Sequence, residues 1–170
     1  MPGQNKHWYV VYTKPRSEKK VYNLLIERGY EAYCPINKVR RKWSDRMKWV
    51  EEPLFKSYVF VRASEEEKTE VRMVNGIVNY IYWLGQPAVI RDKEIDTIRR
   101  FLNDYSEVEV MPLTISTDER VIIRKGALMN REARVIKVLS NKVQVILESI
   151  GYKLVAMIDK SNLLITEKNR

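Results

Sequence analysis

WYVVYTKPRSEKKVYNLLIERG, residues 8–29, is the stretch whose reading decides the fold. Trp8 to Thr13 is a β-branched and aromatic run closed by Lys14-Pro15, the pattern of a strand. After Ser17 the spacing changes: Val21, Leu24, Leu25 and the aliphatic stem of Arg28 share one helical face, and Gly29 supplies a stop. A strand feeding an amphipathic helix points to a mixed α and β domain. Outward from there, Glu31 to Arg41 and Lys48 to Ala63 are rich in strand formers, with the polar WSDRM (43–47) as a reversing loop, so a basic β-hairpin is expected. SEEEKTEVRMV opens at Ser64 on a cap and an acidic first turn, and Gly76 ends that helix before the strand-like IVNYIYWL. Asp92 to Leu102 places Ile95, Ile98, Phe101 and Leu102 at helical spacing. The predicted order is βαββαβα, an antiparallel sheet flanked by helices.

Periodicity then fades through NDYSEVEVMPLTISTD, and the chain resumes with RVIIRKG, ARVIKVLS, KVQVILES, YKLVAMID and NLLI, five short runs dense in Val, Ile and Leu separated by turns. The reading is α+β: a first domain over 1–103, a linker over 104–118, and a small all-β, SH3-like barrel over 119–170. About 50 residues make a modest core for such a barrel.

Charge is distributed unevenly. The first 50 residues carry 12 Lys or Arg against 4 Asp or Glu, whereas the other 120 carry 19 against 18. This local excess is interleaved with Trp8, Tyr9, Tyr12, Trp43 and Trp49, which suits a polyanion whose bases also stack. Nucleic acid is the leading partner. The basic segment is broken by Pro15, Gly29 and Pro35, and no run approaches ~20 apolar residues, so a membrane is the weaker choice. Cys34 and His7 are the only residues of their kinds, and the six glycines are scattered, so neither a multi-Cys or multi-His metal site nor a phosphate-cradling loop can be assembled. No catalytic constellation, metal or cofactor is expected, Cys34 is expected to be a buried apolar residue, and the expected place is the cytoplasm.

Three segments carry a family resemblance: Trp8-Tyr9-Val10-Val11-Tyr12 to Lys14, the run Glu52-Pro53-Leu54-Phe55-Lys56-Ser57-Tyr58-Val59-Phe60-Val61, and Pro87-Ala88-Val89-Ile90. Together they resemble the N-terminal domain of the NusG family of transcription elongation factors, and the following domain resembles its KOW domain. The Pro53-Leu54-Phe55 and Pro87-Ala88-Val89-Ile90 pairing looks closer to specialised, operon-dedicated paralogues of the RfaH and UpxY kind than to housekeeping NusG. The resemblance implies a non-enzymatic factor that reduces pausing or termination. It would dock a hydrophobic depression on the β′ clamp helices of RNA polymerase and contact upstream or non-template DNA.

By position, Phe55 and Tyr58 match the aromatics of that depression, with Trp8 beside them; for Trp8 and Phe55 plain core packing is the alternative. Phe55 is expected at the interface, so that Phe55→Ala weakens polymerase binding and leaves the thermal midpoint nearly unchanged. Lys56-Ser57 stands where the family usually has Pro-Gly or Pro-Asn. Near the second helix Thr69 matches a segment that contacts the β gate loop, the alternative being an ordinary acidic helix start. For nucleic acid, the loop after the first strand and the first helix supply Lys14, Arg16, Lys20 and Arg28, and the hairpin supplies Arg40, Arg41, Lys42, Trp43 and Arg46. Trp43 and Trp49 either stack on unpaired bases or staple the hairpin as a cross-strand pair.

In the second domain Gly126, Leu128, Asn130 and Arg131 occupy the KOW loop. The family uses this region for ribosomal protein S10 or for Rho, and Arg131 in place of an aromatic disfavours Rho. The density of Val and Ile favours a barrel over the helical hairpin that one relative adopts. A monomer is the default. The competing function is an RNA-binding protein of the ribosomal or translational type, and a small apolar patch beside Phe55 and Tyr58 would discriminate against it.

Overall fold

The computed structural model describes residues 5–113, 135–139 and 142–157. The chain folds as two compact units, Met1–Ile36 with Pro53–Asp92, and Asn37–Glu52 with Lys93–Arg170.

The first unit is built on β1 (Lys6–Thr13), followed by α1 (Glu18–Glu27) and β2 (Glu31–Tyr33). The chain then leaves through β3 (Ile36–Trp43) and β4 (Arg46–Pro53), which pair only with each other, and returns in β5 (Tyr58–Ser64). Pro35 and Pro53 stand at the two crossings, and Leu54 N–H donates to the Pro35 carbonyl at 2.8 Å. Each run expected as one strand is therefore divided in two, one half in the sheet and the other in the ribbon.

After β5 come α2 (Lys68–Arg72), β6 (Ile77–Tyr80), β7 (Tyr82–Trp83), β8 (Gln86–Pro87) and β9 (Val89–Ile90). The antiparallel sheet runs β2-β5-β1-β6, with β9 completing the second edge of β1. The expected strand over 77–84 is cut short, because Leu84 and Gly85 turn the chain back with φ of 54° and 80°.

Register explains why Trp8-Tyr9-Val10-Val11 is apolar without alternation. Tyr9 and Val11 face Val61 and Val59 on the side where Val21 and Leu25 of α1 and Val71 of α2 close a core. Trp8 and Val10 point to the other face, which is also buried. Across the turn that leads from β5 into α2, Ser64 and Glu67 exchange capping-box hydrogen bonds: Ser64 N–H donates to a Glu67 carboxylate oxygen at 2.9 Å, and Glu67 N–H donates to Ser64 Oγ at 3.3 Å.

The second unit holds the β3–β4 ribbon, most of α3 (Asp92–Asp104), and an antiparallel sheet in the order β10-β13-β12-β11. These strands are β10 (Glu109–Pro112), β11 (Val135–Leu139), β12 (Lys142–Leu147) and β13 (Tyr152–Met157). Val143, Val145, Leu147, Leu154 and Ala156 share one buried face, and Gln144, Ile146 and Val155 on the other face are buried as well. Glu94 of α3 is buried and accepts the Ser149 hydroxyl at 2.7 Å and its backbone N–H at 3.3 Å.

Three of the five apolar runs are strands as expected, whereas RVIIRKG and NLLI lie outside the described residues. Part of the expected linker, Glu109–Pro112, is itself a strand paired with β13. Its Val and Glu alternation was a two-residue period hidden by the acidic residues and by Pro112. The fold is thus α+β with antiparallel sheets and few helices.

Candidate functional site

The turn between β4 and β5 assembles the aromatic group. Phe55 and Tyr58 stack at 6.2 Å between centroids, and Phe60 meets Phe55 edge-on at 5.7 Å. Tyr12, opposite Tyr58 in the β1–β5 ladder, meets it edge-on at 6.5 Å. Phe55 is 4% exposed and Trp8 3%, so both are packed inside, whereas Tyr12 is 41% exposed and Tyr58 half-buried.

This overturns the expectation that Phe55 could be removed without cost to stability: its ring is the floor of the patch, and Tyr58 and Tyr12 are the accessible rim. Trp8 shares their sheet face but lies four residues down β1 from Tyr12, roughly 13 Å along the strand. Thr69 is exposed on α2, which packs on the opposite face through Val71, so it does not join the group.

The Lys56-Ser57 turn keeps its shape despite lacking Gly or Asn. Ser57 has φ of 64°, a left-handed conformation those residues adopt more readily. Glu18, buried in the first turn of α1, accepts Ser57 N–H at 2.9 Å, and Thr13 N–H donates to Ser57 O at 2.8 Å. Glu18 thus positions the turn that presents Tyr58. The sequence reading did not single Glu18 out, and no local signal marks this role.

Lys14 and Arg16 are exposed on the loop after β1, with Lys14 N–H anchored to Gly76 O at 2.9 Å. Lys20 and Arg28 are exposed on α1 and at its C-terminal cap. They stand eight residues apart, about 12 Å along the helix axis. Among the described residues none of these four cations has a carboxylate within ion-pair distance. They are available to phosphates.

The basic hairpin turns at Ser44 and Asp45, with Ser44 at φ of 51°. A two-residue turn sets Trp43 opposite Arg46 and Arg40 opposite Trp49, and strand alternation then sends Trp43 and Trp49 to opposite faces. The cation contacts agree: Arg40 lies over Trp49 at 5.6 Å and Lys48 over Trp43 at 5.3 Å. The cross-strand tryptophan pair considered from sequence is therefore excluded by register. Both rings are open, Trp43 58% and Trp49 54% exposed. Arg41 pairs with Glu52 at 2.6 Å and Arg40 with Glu107 at 2.7 Å, whereas Lys42 and Arg46 at the tip are exposed with no carboxylate at ion-pair distance among the described residues. The base is held by Asn37, whose side-chain amide both donates to Val108 O at 2.9 Å and accepts from Val108 N–H at 3.1 Å.

Gly126, Leu128, Asn130 and Arg131 lie outside the described residues. Cys34 is buried, and burial pushes its thiol up to about 11. No helix among the described residues is long and apolar enough to cross a membrane.

Comparison with known proteins places this geometry in context. A transcription termination/antitermination protein NusG of Streptococcus pyogenes serotype M1 is 26% identical over 169 residues, covering 91% of this chain and 93% of that protein. The protein of the same name from Lactococcus lactis subsp. lactis is 26% identical over 159 residues, covering 85% and 84%. A solved structure described as "Domain interaction in Thermotoga maritima NusG" aligns at 20% identity with a TM-score of 0.44, covering 91% of this chain and 98% of that one. The sequence model of the family NusG, described as transcription termination factor nusG, matches residues 6–99. That match spans more than half of the chain and takes in β1, α1, the hairpin, the turn bearing Phe55 and Tyr58, α2 and part of α3: the chain belongs to the NusG family.

Proposed function

We propose that this protein is a transcription elongation and antitermination factor that docks on the β′ clamp helices of RNA polymerase and holds upstream or non-template DNA. The observation that supports the reading is the aromatic patch on the first sheet: Tyr12 exposed and Tyr58 half-buried over a buried Phe55, with cations exposed on the adjoining loop and helix. Docking would bury the two tyrosine rims on an apolar stripe of the partner, while Lys14, Arg16, Lys20 and Arg28 neutralise phosphates. The hairpin cations Arg40, Arg41, Lys42 and Arg46 extend that electrostatic attraction, and no covalent chemistry is needed.

Service to dedicated operons, as in the RfaH and UpxY kind, belongs to the same proposal. So do the division at residues 103 and 119, a Thr69 contact to the β gate loop, and recruitment of ribosomal protein S10 by the second domain.

The test is retention of the purified chain on a stalled elongation complex, with Tyr58→Ala as the variant and free RNA as competitor. Tyr58 is chosen because its ring is accessible, whereas Phe55 holds the fold. Retention lost in Tyr58→Ala and unaffected by RNA supports docking. Failure of the chain to be retained, with tight binding to RNA alone, would move the ribosomal or translational reading to the front.

A further inference from the structure

The turn that presents Tyr58 and the loop that carries Lys14 and Arg16 meet at one residue, Ser57. Thr13 N–H donates to the Ser57 carbonyl at 2.8 Å, and the Glu18 carboxylate accepts the Ser57 N–H at 2.9 Å. Thr13 closes β1 and Glu18 opens α1, so these two buried residues bracket the cation loop, residues 14–17, from both ends. Inside the bracket the loop has little slack: the Lys14 carbonyl accepts the Ser17 N–H and the Thr13 hydroxyl, each at 3.1 Å. The two rim rings are chain neighbours of the same contact, Tyr12 of Thr13 and Tyr58 of Ser57, and they face each other in the ladder. Both segments also hold a side chain in the left-handed region, Ser57 at φ of 64° and Arg16 at φ of 63°. Such a conformation persists only where the surroundings over-determine it, and here each segment is part of the other's surroundings.

We infer that the Tyr12–Tyr58 rim and the Lys14–Arg16 loop are thermodynamically coupled, with Ser57 as the joint and Glu18 as its positioning residue. The inference rests on the proposed function and deepens it, naming how occupancy of one surface regulates the other. In the closed state both hydrogen bonds to Ser57 are made, the rim is presented and the loop is ordered. In the open state Ser57 relaxes out of the left-handed region and the two segments loosen together. An apolar partner on the rim selects the closed state, and so does a DNA backbone on the loop, so each ligand lowers the ordering cost that the other meets. The coupling is positive and, by linkage, reciprocal. It runs through this chain, so it operates between ligands that are not joined to each other.

The experiment uses the full chain, a short fluorescent single-stranded DNA and, unlinked to it, a fragment of the polymerase β′ subunit bearing the clamp helices. DNA affinity is measured by anisotropy at fixed salt, with and without saturating fragment, and a titration lacking the chain corrects for contact between fragment and DNA. Wild type is compared with Glu18→Ala, Glu18→Gln, and Glu18→Ala combined with Ser57→Gly, and fragment affinity is measured in parallel. In wild type the fragment is expected to tighten DNA binding about fivefold or more. In Glu18→Ala that factor is expected to fall below about twofold and fragment binding to weaken. Glu18→Gln loses the same charge but keeps an acceptor for the Ser57 N–H, and is expected to keep the coupling, which separates the hydrogen bond from the charge. Adding Ser57→Gly relieves the left-handed strain and is expected to restore fragment binding without restoring the coupling, a split that general loss of structure would not produce. DNA affinity indifferent to bound fragment, or a factor of equal size in wild type and Glu18→Ala, overturns the coupling and leaves the two binding surfaces standing. No binding of the fragment, or none of the DNA, overturns the proposed function and the coupling with it.

Discussion

Replacing Phe55 by Ala separates a floor from a rim. Its ring is 4% exposed, stacks on Tyr58 and meets Phe60 edge-on. Truncation of a buried Phe costs about 3–5 kcal/mol, from lost transfer energy and the cavity left behind. For a unit of under 100 residues each kcal/mol moves Tm by at least about 4 °C, so Phe55→Ala is expected to lower Tm by more than about 10 °C. Phe55→Leu fills most of the volume and is expected to cost less than about 1.5 kcal/mol. Tyr58→Ala removes a half-exposed ring and is expected to cost about 1 kcal/mol, since only part of its area is buried. The assay is thermal and urea unfolding of the three variants followed by circular dichroism. A Tm for Phe55→Ala within about 2 °C of wild type would refute the argument, because a ring that can be deleted freely is not a floor but an open contact surface.

Gly76 sits at φ of 98°, and a Cβ there would meet Val21 Cγ2 at 2.8 Å, so Gly76→Ala combines left-handed strain with overpacking of the core. A loss of about 2–4 kcal/mol is expected in urea melts, and a loss under about 0.5 kcal/mol would contradict the packing. The Glu67 carboxyl is held below its ordinary value, first by the Ser64 backbone N–H and then by Lys6. Its folded value lies below its unfolded one, so its contribution is present above the unfolded carboxylate value and is lost as pH falls through the folded one. Accordingly, the stability gap between wild type and Glu67→Gln is expected to be full at pH 6 and to close towards pH 3; a gap independent of pH rules the capping role out. Because burial raises its thiol, Cys34 is expected to react with a thiol reagent at pH 8 only after denaturant is added. Prompt reaction in the native protein would show that the site opens.

Much of this protein was legible locally. Trp8 to Thr13 read as a strand, Ser64 as the cap ahead of a helix, and WSDRM as the reversing loop of a basic hairpin, although only Ser44 and Asp45 of that loop turn and Trp43, Arg46 and Met47 belong to the strands. Those features depend on residues within a few positions of one another, where dihedral preference and side-chain period leave few alternatives. The family match follows from the same segments.

Other features depended on distant partners. Whether Phe55 was floor or rim was decided by Phe60 and by the way β5 pairs with β1. Glu18 reaches Ser57 across 39 residues to hold a left-handed turn, and Asn37 binds Val108 across 71. The strand at Glu109–Pro112 became a strand only because β13 lies beside it to take its hydrogen bonds. The two tryptophans look alike in the sequence, and the length of one turn assigned them to opposite faces. The sequence by itself determined where strands give way to helices, the family and the supply of charge and aromatic rings; the tertiary structure decided how the strand-forming runs divide and which rings meet solvent. Burial is a property of what the folded chain brings up against a side chain from afar, and no local pattern encodes that neighbour.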